Sequence, residues 1–266
     1  MSHHLIIQGL SDIGLVRQRN EDSLVLAPDL GAAVVADGMG GHPGGDVASR
    51  IAAEYAVRRL RALLPCLDEE PPEDRLEALR RSMAQSVLGA HNAVRNEAVR
   101  SPSLDNMGTT LTALAVDGSD GTYAIGHVGD SRAYRLRAGA LVQLTRDDTW
   151  VQDRVEAEQL TPEQARRHPF GHILTQCLGL EETPEPQVVM GTVEEGDVYL
   201  LCTDGLVGML EDAVLAEVVT RHLLADDVDD PEEGCARALD VLVTLAKERG
   251  GHDNITVAIL MVTPGA

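Results

Sequence analysis

Lysine is nearly absent from the 266-residue chain: Lys247 stands alone, and arginine supplies the other basic side chains. A Walker A phosphate loop needs a lysine directly after a glycine, and a protein kinase needs one on an early strand, so both are excluded. A lysine Schiff base would have one poorly placed candidate. Paired cysteines are missing as well. Cys66, Cys177, Cys202 and Cys235 are scattered with no C-x-x-C spacing, which disfavours a zinc cluster or redox dithiol and predicts reduced, mostly buried thiols. No apolar run approaches a membrane span. The stretch "MSHHLIIQGL" lacks the basic start and apolar core of a signal peptide, so a cytoplasmic protein without membrane insertion is expected. Positive charge is scarce: 22 bases face 43 acids, for a formal net charge of −21. Nucleic acid and anionic membrane both demand a basic face and are poor partners. Metal ions and cationic partners fit better, although solubility alone accounts for most of the acids.

What is present is a full set of periodic elements. Apolar residues make up 44% of the chain, enough for a sizeable core. Val47, Ile51, Tyr55, Leu60, Leu63 and Leu64 form one helical face, and Leu76, Leu79, Met83, Val87, Ala90 and Val94 form a longer one. Cys235, Ala238, Leu239, Leu242, Leu245 and Ala246 form a third. A short helix is predicted to start at Thr161-Pro162-Glu163-Gln164, which has the capping-box form with proline at the first helical position. Strands are predicted at "GAAVVAD", on both sides of a turn at Asp117–Gly121, in a hairpin turning at Ala138–Gly139, and in "GDVYLLCTDG" and "NITVAILMV". Charged loops are expected at Asp68–Asp74 and Asp226–Glu233. Helices come in pairs and strands in hairpins, so the expected class is α+β: a four-layer αββα sandwich of two mainly antiparallel sheets flanked by helices.

Four aspartates abut strongly apolar strands: Asp22 in "RNEDSLVL", Asp37 in "VVADG", Asp204 in "YLLCTDG" and Asp253 in "GHDNITVAIL". A carboxylate beside a buried strand is costly unless paired or bound to a cation. Asp-Gly commonly marks only a hairpin turn, but Asp37-Gly38 leads into a helix. Four acids at strand ends could converge in a sandwich, where mutual repulsion would call for bound cations. Oxygen ligands without histidine or cysteine favour magnesium or manganese. Separate turn and cap roles are the even alternative. Arg17, five residues before Asp22, could face the same cleft and grip a phosphate with its planar fork, whereas Arg19 reads as a solvated surface residue. The glycine-rich "VVADGMGGHPGG" is no dinucleotide fingerprint, because Pro43 falls where the third glycine of G-x-G-x-x-G belongs and the element order is wrong.

Seven stretches in order complete the pattern: "SDIGLVRQRNEDS" (Ser11–Ser23), "VVADGMGGHPGGDVAS" (Val34–Ser49), "MGTTLTALAV" (Met107–Val116), "GHVGDSRAYRL" (Gly126–Leu136), "LTRDDTW" (Leu144–Trp150), "YLLCTDGL" (Tyr199–Leu206) and "HDNITVAIL" (His252–Leu260). With these the chain resembles the metal-dependent serine/threonine protein phosphatases of type 2C in their compact bacterial form. The resemblance implies one catalytic domain over 1–266, with a mobile flap over about 147–178. It implies two Mn2+ or Mg2+ ions held by Asp37, the Gly38 carbonyl, Asp204 and Asp253. Asp22 would hold a metal-bound water with Glu21 beside it, Asp130 would help hold a weaker third ion, and Arg17 would bind the substrate phosphate. A metal-bridging water would attack the phosphorus of phosphoserine or phosphothreonine, with no phosphoenzyme. Ser131 and Cys202 are then structural rather than nucleophilic. Phosphorylated proteins, and a bacterial serine/threonine kinase with its targets, are the implied partners.

Three departures from the family pattern stand out. Met39 occupies the position where animal-type members carry a proton-donating histidine, which leaves His42 as a candidate for that role and water as the fallback. Gly208 replaces the acid or amide that often assists the third ion. Asp148 stands where bacterial relatives often have histidine, so differences in the flap are expected. The rival reading is a catalytically inactive regulatory or binding domain on the same fold. It is disfavoured because Arg17, Asp22, Asp37, Asp204 and Asp253 are all retained.

Overall fold

The computed structural model describes residues 3–39, 44–117, 121–225 and 228–265. Ten strands are described: β1 (His3–Asp12), β2 (Asp22–Ala27), β3 (Ala32–Asp37), β4 (Leu111–Asp117), β5 (Thr122–Val128), β6 (Arg132–Arg137), β7 (Ala140–Gln143), β8 (Gln187–Thr192), β9 (Val198–Cys202) and β10 (Ile255–Pro264). The α-helices are α1 (Gly45–Leu63), α2 (Pro72–Arg100), α3 (Trp150–Glu156), α4 (Pro162–Arg166), α5 (Asp204–Val207), α6 (Asp212–Val219) and α7 (Pro231–Glu248).

The strands form two five-stranded sheets, ordered β1-β10-β9-β6-β7 and β2-β3-β4-β5-β8, with antiparallel pairing throughout. Alternation along the strands explains the layering, because successive side chains point to opposite faces. In β3, Ala33 and Val35 join Leu114, Ile125, Tyr199, Leu201 and Leu260 between the sheets. The alternate residues Val34 and Ala36 face outward, against Ala52, Ala56 and Leu60 of α1 and Met83 and Val87 of α2. On the other sheet, Leu200, Cys202, Val257 and Ile259 pack against Leu239, Leu242 and Ala246 of α7 and Leu215 of α6. Each fully buried Leu, Ile or Val contributes roughly 1.5–3 kcal/mol over exposure. The result is the expected αββα sandwich.

Several local expectations hold. Ala138 and Gly139 both have positive φ, as the two-residue hairpin between β6 and β7 requires. Thr161 and Gln164 form the complete capping box of α4. Loop lengths differ: α2 already begins at Pro72, so Asp74 lies inside it, and α7 begins at Pro231. The N-terminal segment is edge strand β1, paired with β10 over its full length.

Candidate active site

Strand pairing brings the first two acids together. Asp22 opens β2 and lies directly opposite Asp37, the last residue of β3. Asp204 opens α5 at the end of β9, and Asp253 lies in the turn before β10. Since β9 and β10 are neighbours, the sandwich carries acids from both sheets to one end.

Hydroxyls and glycine backbone hold Asp37 in place. The Thr110 hydroxyl accepts from the Asp37 N–H at 2.9 Å, while the Thr109 hydroxyl donates to the Asp37 carbonyl at 2.8 Å. Gly38 donates its N–H to the Glu21 carbonyl at 3.1 Å. A Cβ at Gly38 would collide with the Gly45 carbonyl at the start of α1, so only glycine fits that close crossing. Glu21 contributes its backbone here, since its carbonyl also accepts from the Ser49 hydroxyl at 2.6 Å. Its carboxyl is raised above the ordinary range, chiefly by burial.

Electrostatics mark these acids as under strain. Burial pushes Asp37 well above the usual carboxylate range, and Asp204, Asp22 and Asp130 add repulsion. The interaction between Asp37 and Asp204 raises the first and lowers the second. Asp204 is still raised, by burial and by Asp253. Burial brings Asp22 up to about 7, with Asp204 and Asp253 pushing the same way and the Thr203 hydroxyl, donating at 2.8 Å, tempering the shift. Asp130 follows Gly129 between β5 and β6 and is raised well above its ordinary value by burial and then by Asp204. Among the described residues, Asp22 Oδ1 and Asp204 Oδ1 are buried and have no hydrogen-bond partner. Such orphaned carboxylate oxygens are costly without a cation.

Asp253 is treated differently. Its Oδ1 accepts from the Asn254 N–H at 2.9 Å, and its Oδ2 accepts from Arg17 Nη2 at 2.6 Å. That bond to Asp253 is also what raises the Arg17 pKa most. Among the described residues no three acidic, histidine or cysteine side chains form a closed metal-ligand set. Arg17 bonds one oxygen of the Asp253 carboxylate. The pair uses one Arg17 nitrogen and one Asp253 oxygen, so the remaining guanidinium N–H groups and carboxylate lone pairs stay available for the roles expected of them.

Sequence reasoning missed the side chains that position these acids. Asn254 is foremost: its Oδ1 accepts from the Glu21 N–H, and its Nδ2 donates to the Ile13 and Arg19 carbonyls. It thereby binds the Arg17 segment to the turn carrying Asp253. Its place beside Asp253 in "HDN" was the available signal, as was that of Thr203 beside Asp204. Asp148 is buried and clasps Gly129: its Oδ2 accepts from the Gly129 N–H at 3.0 Å, and its own N–H donates to the Gly129 carbonyl at 2.7 Å. The departure at this position thus anchors the start of segment 147–178 to Gly129, the residue before Asp130. At the segment's far end, Leu178 pairs with Thr109, the residue bonded to the Asp37 carbonyl. Met39 donates its N–H to the Gly108 carbonyl and has no side-chain proton to give. His42 lies outside the described residues. Gly208 sits at the end of α5, its N–H on the Asp204 carbonyl at 2.7 Å, and offers no side-chain ligand. Ser131 is buried against Thr110, and Cys202 is buried in β9 with its thiol pushed up to about 12 by that burial.

Comparison with known proteins identifies the family of this fold. A family profile described as protein phosphatase 2C matches residues 16–238. The chain belongs to the protein phosphatase 2C family. It is 39% identical over 249 residues to the serine/threonine protein phosphatase PstP of Mycobacterium tuberculosis, covering 94% of this chain and 43% of PstP. The chain therefore spans less than half the length of that relative. Protein phosphatase PhpP of Streptococcus pneumoniae is 33% identical over 255 residues, covering 94% of this chain and 95% of PhpP. A crystal structure of the PstP catalytic domain in complex with two manganese ions superposes with a TM-score of 0.78 at 35% identity, covering 98% of this chain and 99% of that one. No described helix is long and apolar enough to cross a membrane.

Proposed function

We propose that the chain is a metal-dependent protein-serine/threonine phosphatase that hydrolyses phosphoserine and phosphothreonine on protein substrates. The observation that carries this reading is the group of raised carboxyls Asp22, Asp37, Asp130 and Asp204, with orphaned oxygens on Asp22 and Asp204, beside the Arg17 guanidinium. An all-oxygen donor set of high negative charge suits Mn2+ or Mg2+. Asp37, the Gly38 carbonyl, Asp204 and Asp253 are the proposed holders of two ions, Asp22 and Glu21 flank them, and Asp130 is the proposed side of a weaker third. Ions bound there would acidify a water and neutralise phosphoryl charge.

The protein's own residues would do the rest. Arg17 would take two phosphoryl oxygens through its planar fork. Asn254 and Thr203 would keep the acids aimed. Met39 cannot protonate the leaving serine or threonine oxygen, so water fills that role unless His42 reaches it. The segment 147–178 is the proposed flap, anchored by Asp148 and Leu178. A serine/threonine kinase and its phosphorylated targets are the proposed counterparts, in a cytoplasmic setting where all four cysteines stay free thiols.

The test is hydrolysis of a phosphothreonine peptide with manganese. Turnover that disappears with chelator and in Asp37→Asn is expected, and undiminished turnover in excess chelator would sink the metal-dependent reading. Manganese binding without any turnover would favour the inactive regulatory domain instead.

A further inference from the structure

Three large exposed hydrophobic residues fall within four consecutive positions directly before Arg17: Ile13 (39% exposed), Leu15 (62%) and Val16 (61%). Single exposed apolar side chains are ordinary on any protein surface. Three within four consecutive positions, leading directly into an arginine of the site, are a candidate contact surface. We propose that Leu15 and Val16 form an aliphatic rim that selects phosphorylated segments with an apolar side chain next to the phosphoresidue. The inference rests on the phosphatase reading above.

The loop cannot fold these side chains inward, because its backbone is pinned on both sides. Gly14 donates its N–H to Asp12 Oδ1 at 2.8 Å, and Lys247 Nζ holds Asp12 Oδ2 at 2.8 Å. Gly14 has φ +77°, and a Cβ there would collide with the Asp253 carbonyl. The Leu15 N–H bonds the Gly251 carbonyl at 2.8 Å. Asn254 holds the carbonyls of Ile13 and Arg19 from the other side. The rim is thus fixed to the turn that carries Asp253.

Its place relative to Arg17 identifies the occupant. Val16 adjoins Arg17, whose guanidinium lies on Asp253. Neighbouring residues of an extended chain are about 3.3–3.6 Å apart along its axis. A segment whose phosphate reached Arg17 would therefore bring an adjacent residue toward Leu15 and Val16. Burying an aliphatic one against the rim is favourable.

The experiment compares two phosphothreonine peptides, one with leucine and one with glycine on both sides of the phosphothreonine. The unaltered protein with manganese should prefer the leucine peptide about tenfold in kcat/KM, expressed through KM. In Leu15→Ser/Val16→Ser the ratio should fall close to one. Equal rates on both peptides with the unaltered protein would overturn the rim without any variant being needed, as would a double variant that keeps the preference. Hydrolysis of p-nitrophenyl phosphate by the unaltered protein separates the two readings. If it proceeds without a peptide preference, only the rim falls. If neither it nor the peptides are hydrolysed, the phosphatase reading falls and takes the rim with it.

Discussion

Asp148 and Asp197 are buried, and so is Asp22, but their surroundings differ. Asp197 receives Arg137 on both oxygens at 2.6 Å, together with the Glu194 N–H and the Tyr199 hydroxyl. Asp148 accepts from the Gly129 N–H on one oxygen and from Gln176 and Gln187 on the other. Among the described residues, Asp22 accepts the Thr203 hydroxyl on one oxygen and has no hydrogen-bond partner on the other, and the charges that most raise its pKa, after burial, are those of Asp204 and Asp253. Acids of the first kind hold the fold together. Those of the second kind weaken it unless a cation arrives, which is what a binding site retained at the expense of stability looks like.

The contrast can be broken most severely at Asp37. Asp37→Asn should lower manganese-dependent hydrolysis of p-nitrophenyl phosphate by about a thousandfold; activity within a few-fold of the unaltered chain would erase the distinction between the two sets. Asp197→Ala should act on stability instead. A loss of about 2 kcal/mol in urea unfolding is expected, less than for a fully buried pair because Arg137 stays partly solvated, with manganese affinity unchanged. Asp204→Asn should have the opposite sign: in chelator its melting midpoint should rise by about 3 °C as a buried like charge is removed, while the stabilisation gained from manganese shrinks.

A pH dependence completes the contrast. Asp22 has a folded pKa near 7 against an ordinary 3.8, so between those values the folded chain keeps a proton that the unfolded chain has lost. Folding stability in chelator should therefore fall as pH rises through that window. The stability advantage of Asp22→Asn should grow over the same range and vanish below about pH 4. Parallel unfolding curves at every pH would place Asp22 with the satisfied acids.

Where a residue's role depends on its own segment, sequence was enough. The apolar periods of α1, α2 and α7, the box at Thr161 and Gln164, and the Ala138–Gly139 turn are all local. Strand β1 was hidden because "HHLIIQGLSD" mixes polar and apolar residues and becomes a strand through its pairing with β10. Strand β8 is a half-buried edge whose partner β5 lies some sixty residues earlier. The acids of the site stood out because charge beside an apolar strand is anomalous in itself. Their supports did not. Thr110 meets Asp37 and Asn254 meets Ile13 only after folding, across separations of 73 and 241 residues. The Arg17–Asp253 pair was equally invisible, and it bears directly on two of the roles assigned from resemblance.

A crystal structure with manganese, read by anomalous diffraction, tests the account most directly. Two anomalous peaks should lie among Asp37, the Gly38 carbonyl, Asp204 and Asp253. Crystals saturated with manganese that show no peak among these residues would contradict it.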